Sequence, residues 1–356
     1  MFRLEALQAR HGDCLLLHWG EGDDHKVALI DGGPEGTYRT VLRPRLEALA
    51  GELGKERVPL ELMMLSHIDD DHINGLLDLA DDVELESAPA EILLMWHNSL
   101  EGLLEGKLPE PEAKIATASV RAGFRDTGDW DDRDEMVLAS VPQGQRLHAF
   151  AKRVGLDETM NEPFRPLVMA REGQGPEEVE GLELTVVAPD EEAVEKLRKA
   201  WKQHRDESIL AGYKDRSPYN LSSIVVIARF GGKSMLLTGD ALGREAMEGL
   251  EKLGLLTPGP EGRIHFDLIK LPHHGSQNNV AIDFFQRVTA DTYVISGDND
   301  KFPNPHPNAM EWLKQARGDE PYEVYCTYDL DYMRDLFGGR LRTPAAGATG
   351  VTASLD

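Results

Sequence analysis

The chain has 356 residues carrying 63 acidic and 38 basic side chains, a formal net charge of −25. With 41% hydrophobic and 28% charged residues, it has the make-up of a globular protein rather than a disordered or fibrous one. The acidity excludes a coating protein that grips nucleic-acid backbones by counterion release. It leaves a phosphodiester substrate open, because bound divalent metals supply positive charge locally. Two cysteines, Cys14 and Cys326, cannot build a disulfide framework. The first ten residues lack the apolar stretch of a signal peptide, and no run of about 18 apolar residues marks a membrane span. The cytoplasm is the expected location.

Short apolar runs bounded by Gly, Pro and Asp read as buried strands at Cys14–Trp19 and Lys26–Ile30, the second ending at Asp31-Gly32-Gly33-Pro34. A helix is expected over about 44–53, with Pro44 tolerated in its first turn. Strands follow at 60–65 and 91–96. The stretch from about 98 to 181 is charge-rich and broken by Gly and Pro, with the acidic patch Asp129-Trp130-Asp131-Asp132-Arg133-Asp134-Glu135. It reads as an insertion or lid. Regular pattern returns with a strand at 182–188 and a helix near 191–204. A hairpin joins 223–230 to 233–238 through Gly231-Gly232, and strands at 266–271 and 292–296 follow. The division expected is one domain over 1–342 and a flexible tail over 343–356.

The densest chemical signal is His67-x-Asp69-x-Asp71-His72, four imidazole or carboxylate groups in six residues directly after an apolar strand. Such groups are the ligands of Zn²⁺ and Mn²⁺, and a loop leaving a strand can turn several of them toward one point. Asp70, alternating away from them, reads as a solvated residue. Asp240 in Leu237-Thr238-Gly239-Asp240 ends another strand; it is either a carboxylate that bridges two metals or the N-cap of a following helix. His273 and His274 close a third strand in Pro272-His273-His274-Gly275-Ser276, where desolvated imidazoles need partners. His306, in Asn304-Pro305-His306-Pro307, is as readily part of a proline-built surface turn. In an α/β architecture, loops leaving one sheet edge converge on a site. His67, Asp69, Asp71, His72, Asp240 and His274 are then the candidate ligands of two divalent ions.

These motifs together with Gly12-Asp13-Cys14, Asn220-x-x-Ser223 and Ser296-Gly297 resemble the metallo-β-lactamase superfamily, and within it the ComEC-like branch, over roughly residues 8–340. The resemblance implies a four-layered αββα sandwich with the 98–181 stretch as a charged insertion, and a dinuclear Zn or Mn site on one edge. It selects His274 over His273 as a ligand, by the Pro-x-His-Gly spacing. Asp69 stands where the wider superfamily has a second histidine, and Asn220 where it has a third-motif histidine. Both changes make the first metal site poorer in nitrogen and favour Mn²⁺.

The activity expected is metal-dependent phosphodiester hydrolysis, with a nucleotide or single-stranded nucleic acid as the substrate class. Asp71 or Asp240 would orient the nucleophile and His273 or His306 would protonate the leaving oxygen. Asp31, Asn220 and Ser276 are assigned to substrate or to the ring of residues behind the ligands. Alternative readings are a partner-dependent effector subunit, in which the acidic surface docks a basic protein, and an ester, lactone or thioester hydrolase.

Overall fold

The computed structural model describes residues 1–99, 103, 132–203 and 222–356, without the side chains of 132–141 and 199–203. β1 (Phe2–Leu7), β2 (Leu15–Trp19) and β3 (Lys26–Ile30) form an antiparallel meander. α1 (Arg43–Glu52), with Pro44 at its start, leads to β4 (Val58–Leu65) and then α2 (Asp70–Glu84). β5 (Ala90–Ile92) and β6 (Met95–His97) both lie parallel to β4. α3 (Asp132–Arg153), β7 (Glu177–Val179), β8 (Leu182–Ala188) and α4 (Glu191–Gln203) come next. β9 (Val225–Phe230) and β10 (Lys233–Leu237) make the expected hairpin, followed by α5 (Gly243–Lys252) and β11 (Ile264–Lys270). The chain ends through α6 (Ile282–Arg287), β12 (Val288–Ile295), α7 (Pro307–Arg317), β13 (Glu323–Cys326), α8 (Asp331–Phe337), β14 (Leu341–Arg342) and β15 (Gly350–Ser354).

Two sheets result, in the orders β15-β1-β2-β3-β4-β5, with β6 also on β4, and β14-β13-β12-β11-β10-β9-β8-β7. Each turns from an antiparallel meander into parallel strands, at β3/β4 in one and at β10/β11 in the other. Period-two alternation sorts the side chains. Leu15, Leu17, Leu62 and Met64 meet Leu184, Val226, Met235 and Leu268 in a core between the sheets. Leu16, Met63 and Leu65 face the other way, onto α1 and α2, and Ile227, Leu236 and Ile269 pack with α5, α6 and α7. Three stacked apolar layers therefore separate helix, sheet, sheet and helix, giving the αββα sandwich.

Two expectations are corrected. Of the 98–181 stretch expected as an insertion or lid, the end of α3 is built into the body: Leu147, Phe150 and Ala151, at i, i+3 and i+4, are buried in the core shared with α2. Gln143 Nε2 donates to Asn74 Oδ1 at 2.9 Å, and Arg153 Nε to Glu84 Oε1 at 2.8 Å. Residues 104–131, with the start of the acidic patch, lie outside the described residues. The tail is not loose either. β15 pairs antiparallel with β1 from Leu7↔Gly350 to Arg3↔Ser354, burying Val351 and Ala353. Phe2 N donates to Asp356 Oδ1 at 2.9 Å. The small residues Val351-Thr352-Ala353-Ser354 carry a true but short alternation, hidden in a stretch rich in Gly and Ala.

Candidate metal centre

The chemistry-bearing residues sit at the carboxyl ends of the strands flanking the two meander-to-parallel junctions. Asp31 follows β3, His67 follows β4, Asp240 follows β10, and His273 and His274 follow β11. Close backbone contacts bring these loops together. A Cβ on Gly12 would lie 2.0 Å from the Asp71 carbonyl oxygen, and one on Gly239, at φ 50°, would lie 2.9 Å from Ser66 Cβ; glycine is required at both. His273 N donates to Gly239 O at 3.0 Å, and Asn279 Nδ2 to Asp240 O at 3.0 Å.

The imidazoles of His67, His72 and His274 are held from behind through Nδ1. His72 Nδ1 donates to Asp31 Oδ2 at 2.7 Å, and Asp31 also accepts from the Ser66 amide and hydroxyl, each at 2.7 Å. His67 Nδ1 lies 3.0 Å from Ser66 Oγ, and His274 Nδ1 lies 2.9 Å from Ser296 Oγ. Nε2 of all three points forward, buried and without a hydrogen-bond partner within the protein, as are Asp69 Oδ1 and Asp240 Oδ1. Buried polar atoms left unpaired by the protein and converging on one space are what a metal-ligand set presents.

Asp240 divides that space. Its Oδ1 is 3.3 Å from His72 Nε2 and 3.7 Å from His274 Nε2, with Asp71 3.9 and 3.7 Å from the same two nitrogens. Its Oδ2 is 3.7 Å from His67 Nε2 and 3.5 Å from His273 Nε2, and Asp69 Oδ2 is 3.5 Å from His67 Nε2. Ligand atoms about 2.0–2.2 Å from one tetrahedral ion stand roughly 3.3–3.6 Å apart, longer than a good hydrogen bond and close to these values. Buried imidazole and carboxylate donors at these separations suit a divalent metal ion.

Charge follows the geometry. Burial alone would neutralise these groups, yet Asp240, Asp31 and Asp71 hold the His72 imidazole well above its ordinary range. Burial likewise opposes charge on His274, and Asp13 and Asp240 raise it to about 9. The neighbouring imidazoles of His273, His72 and His274 keep the buried Asp240 far below the usual carboxylate range. The site favours anionic oxygens beside positive charge, which divalent ions supply when they displace protons from the imidazoles.

The remaining predicted residues fall as follows. Asp69 is half-buried at the start of α2 and makes no capping hydrogen bond, and Asp240 caps nothing, since Leu242 is the N-cap residue of α5. Asp70 is half-buried rather than solvated, and burial next to Asp71 and Asp69 raises its carboxyl. Ser276 is buried, its Oγ accepting from Asn278 N at 3.3 Å, so it shapes the loop. His306 caps α7, its Nδ1 accepting from Asn308 N at 3.2 Å, while its amide donates to Gly275 O at 3.0 Å. Asn220 lies outside the described residues.

Asp13 and Lys270 are the participants that motif reading left unassigned. By distance Asp13 joins His72, Asp240 and His274, all offering an atom within 4.8 Å of one another. Both its oxygens are engaged, however: Oδ2 accepts from Lys270 Nζ at 2.7 Å and Oδ1 from Ser296 Oγ. It belongs behind His274, 3.4 Å from Nδ1. The one signal available was a lysine closing the apolar run Leu268-Ile269, since a buried lysine demands a carboxylate.

No family model matches the chain. Among curated proteins it is 31% identical over 102 residues to "ComE operon protein 3" of Bacillus subtilis (strain 168), a match covering 28% of this chain and 12% of that protein. Solved structures similar to it include the metallo-β-lactamase fold protein YhfI from Bacillus subtilis, at 10% identity and TM-score 0.40, covering 99% of this chain and 100% of that one. Zn²⁺-bound PqqB from Methylobacterium extorquens is similar at 10% identity and TM-score 0.43, covering 99% and 100%. A diphosphatase from the PhnP family is similar at 11% identity and TM-score 0.42, covering 100% and 98%. Two sheets layered between helices, with the His67 motif, Asp240 and His274 meeting at one edge, make this chain a protein of the metallo-β-lactamase fold.

Proposed function

We propose that the chain is a metal-dependent hydrolase that cleaves phosphodiesters. One observation carries the reading: the two oxygens of the buried Asp240 face two separate His/Asp sets, as a two-metal hydrolytic site requires. Divalent ions held there supply Lewis acidity and a water acidic enough to ionise near neutral pH. The chain's own groups do the rest. Asp71 and Asp240 orient the attacking water, and Asp31, Ser66 and Ser296 fix the imidazole rings behind the ligands. His306 protonates the departing oxygen. Its Nδ1 accepts from the Asn308 amide in the neutral ring, so acting as the acid requires the imidazolium, with that bond released and the Nε2 proton given to the departing oxygen.

The oxygen-rich donor set beside His67 favours Mn²⁺ over a softer ion. A global charge of −25 repels long polyanions outside the site, which favours a small or flexible diester, or a strand delivered by a partner, over duplex DNA. Purified, metal-loaded protein is expected to hydrolyse a chromogenic diester. Asp71→Ala and His274→Ala should each lower kcat/KM by on the order of a hundredfold or more, as loss of charge stabilisation does in such sites. Wild-type rates in both variants would overturn the proposal.

A further inference from the structure

The backbone at the end of β11 is unusual. His273 (φ 46°, ψ 49°) and His274 (φ 55°, ψ 24°) both adopt the left-handed conformation, followed by Gly275 at φ 78°. Two successive non-glycine residues in this region are strained and persist only where surrounding structure holds them. Here His273 N donates to Gly239 O, Ser276 N to His273 O and His306 N to Gly275 O, at 2.9–3.0 Å. The effect is visible in the side chains. In an extended strand, neighbouring residues point to opposite faces. In this turn adjacent imidazoles reach the two oxygens of one carboxylate, His274 Nε2 at 3.7 Å from Asp240 Oδ1 and His273 Nε2 at 3.5 Å from Asp240 Oδ2.

We infer that His273 is a metal ligand, the second imidazole of the site formed by His67, Asp69 and Asp240 Oδ2. The assignment rests on the two-metal reading above. It gives both ions the same complement, two imidazoles and two carboxylates. His67, His273, Asp69 and Asp240 serve one; His72, His274, Asp71 and Asp240 serve the other. His273 thus supplies the nitrogen that the sequence withholds at Asp69 and at position 220. Its side chain is 20% exposed against 2% for His274, so it is the more solvent-accessible of the two adjacent imidazoles. Proton donation to the leaving group then rests with His306 alone.

The test is metal content and Mn²⁺ electron paramagnetic resonance of the full chain equilibrated with Mn²⁺. His273→Asn suits it, because asparagine tolerates the left-handed conformation and is too short to reach the ion; His273→Gln is the second variant. Wild-type and His306→Ala protein should bind two equivalents and show the signal of an exchange-coupled pair. His273→Asn should retain one equivalent with an isolated-ion signal, the other weakened at least tenfold. Two equivalents at unchanged affinity in both His273 variants would overturn the assignment and leave the two-metal reading standing. Fewer than two in the wild type would contradict both.

Discussion

Lys270 and Asp13 are 257 positions apart in sequence, one at the end of β11 and the other in the loop before β2, and both are fully buried. Burial would raise the Asp13 carboxyl, but Lys270 and His274 hold it well below its usual range. The pair matters because Asp13 sits behind His274 and bonds Ser296, so its charge fixes a ring of the candidate metal site. Lys270→Met would leave Asp13 buried and unpaired, a loss of about 3–5 kcal/mol, read as a lowered midpoint in urea denaturation. Adding Asp13→Leu should restore much of that stability yet weaken metal binding by roughly ten- to hundredfold. A double variant with wild-type metal affinity would show that the pair serves folding alone. At this scale the sequence was uneven. His67, Asp69, Asp71 and His72 are legible because four donors crowd six positions. Asp13 and Lys270 are single residues joined only by the fold, and the approach of His273 and His274 to the two oxygens of Asp240 depends on a backbone conformation that no local pattern announces.

Among the elements, the inner strands were legible because burial on both faces leaves unbroken apolar runs, each ending in the polar loop that does the chemistry. α3 was not, because Pro142 lies inside it and a proline reads as a helix break. β15 was missed because its partner, β1, lies at the other end of the chain. The tie between the first meander and its helical layer gives a pH-dependent prediction. Glu5 on β1 accepts from Arg45 Nε of α1 at 2.6 Å and lies 3.2 Å from His18 Nε2 of β2. Burial pushes this carboxyl up, and the bonds to His18 and Arg45 more than reverse it, from 4.5 to about 2. Because the folded value is the lower one, the stabilisation is complete above the ordinary carboxylate range and is lost as pH falls from about 5 toward 2. A shift of this size corresponds to about 3 kcal/mol. Glu5→Gln should lower stability at pH 7 by up to that amount and flatten the acid limb between pH 5 and 2. Parallel stability curves for the two proteins over that range would contradict it.

Across the whole molecule, the two sheets repeat one plan: a meander, a switch to parallel pairing, and the functional loops at that switch. Asp31 after β3 and Asp240 after β10 occupy corresponding places. The first secures His72 from behind, and the second meets His67, His72, His273 and His274 from the front. The sandwich thereby assembles one site from two similar halves, each too sparse in donors to hold two ions. No helix among the described residues is long and apolar enough to cross a membrane. If two ions share the Asp240 carboxylate, hydrolysis depends on both of them. The most direct test is turnover of a chromogenic phosphodiester by metal-stripped protein as Mn²⁺ is returned stepwise. Activity is expected to be negligible without metal and to rise to a plateau at two equivalents per chain. Turnover that survives metal removal, or a plateau already reached at one equivalent, would contradict it.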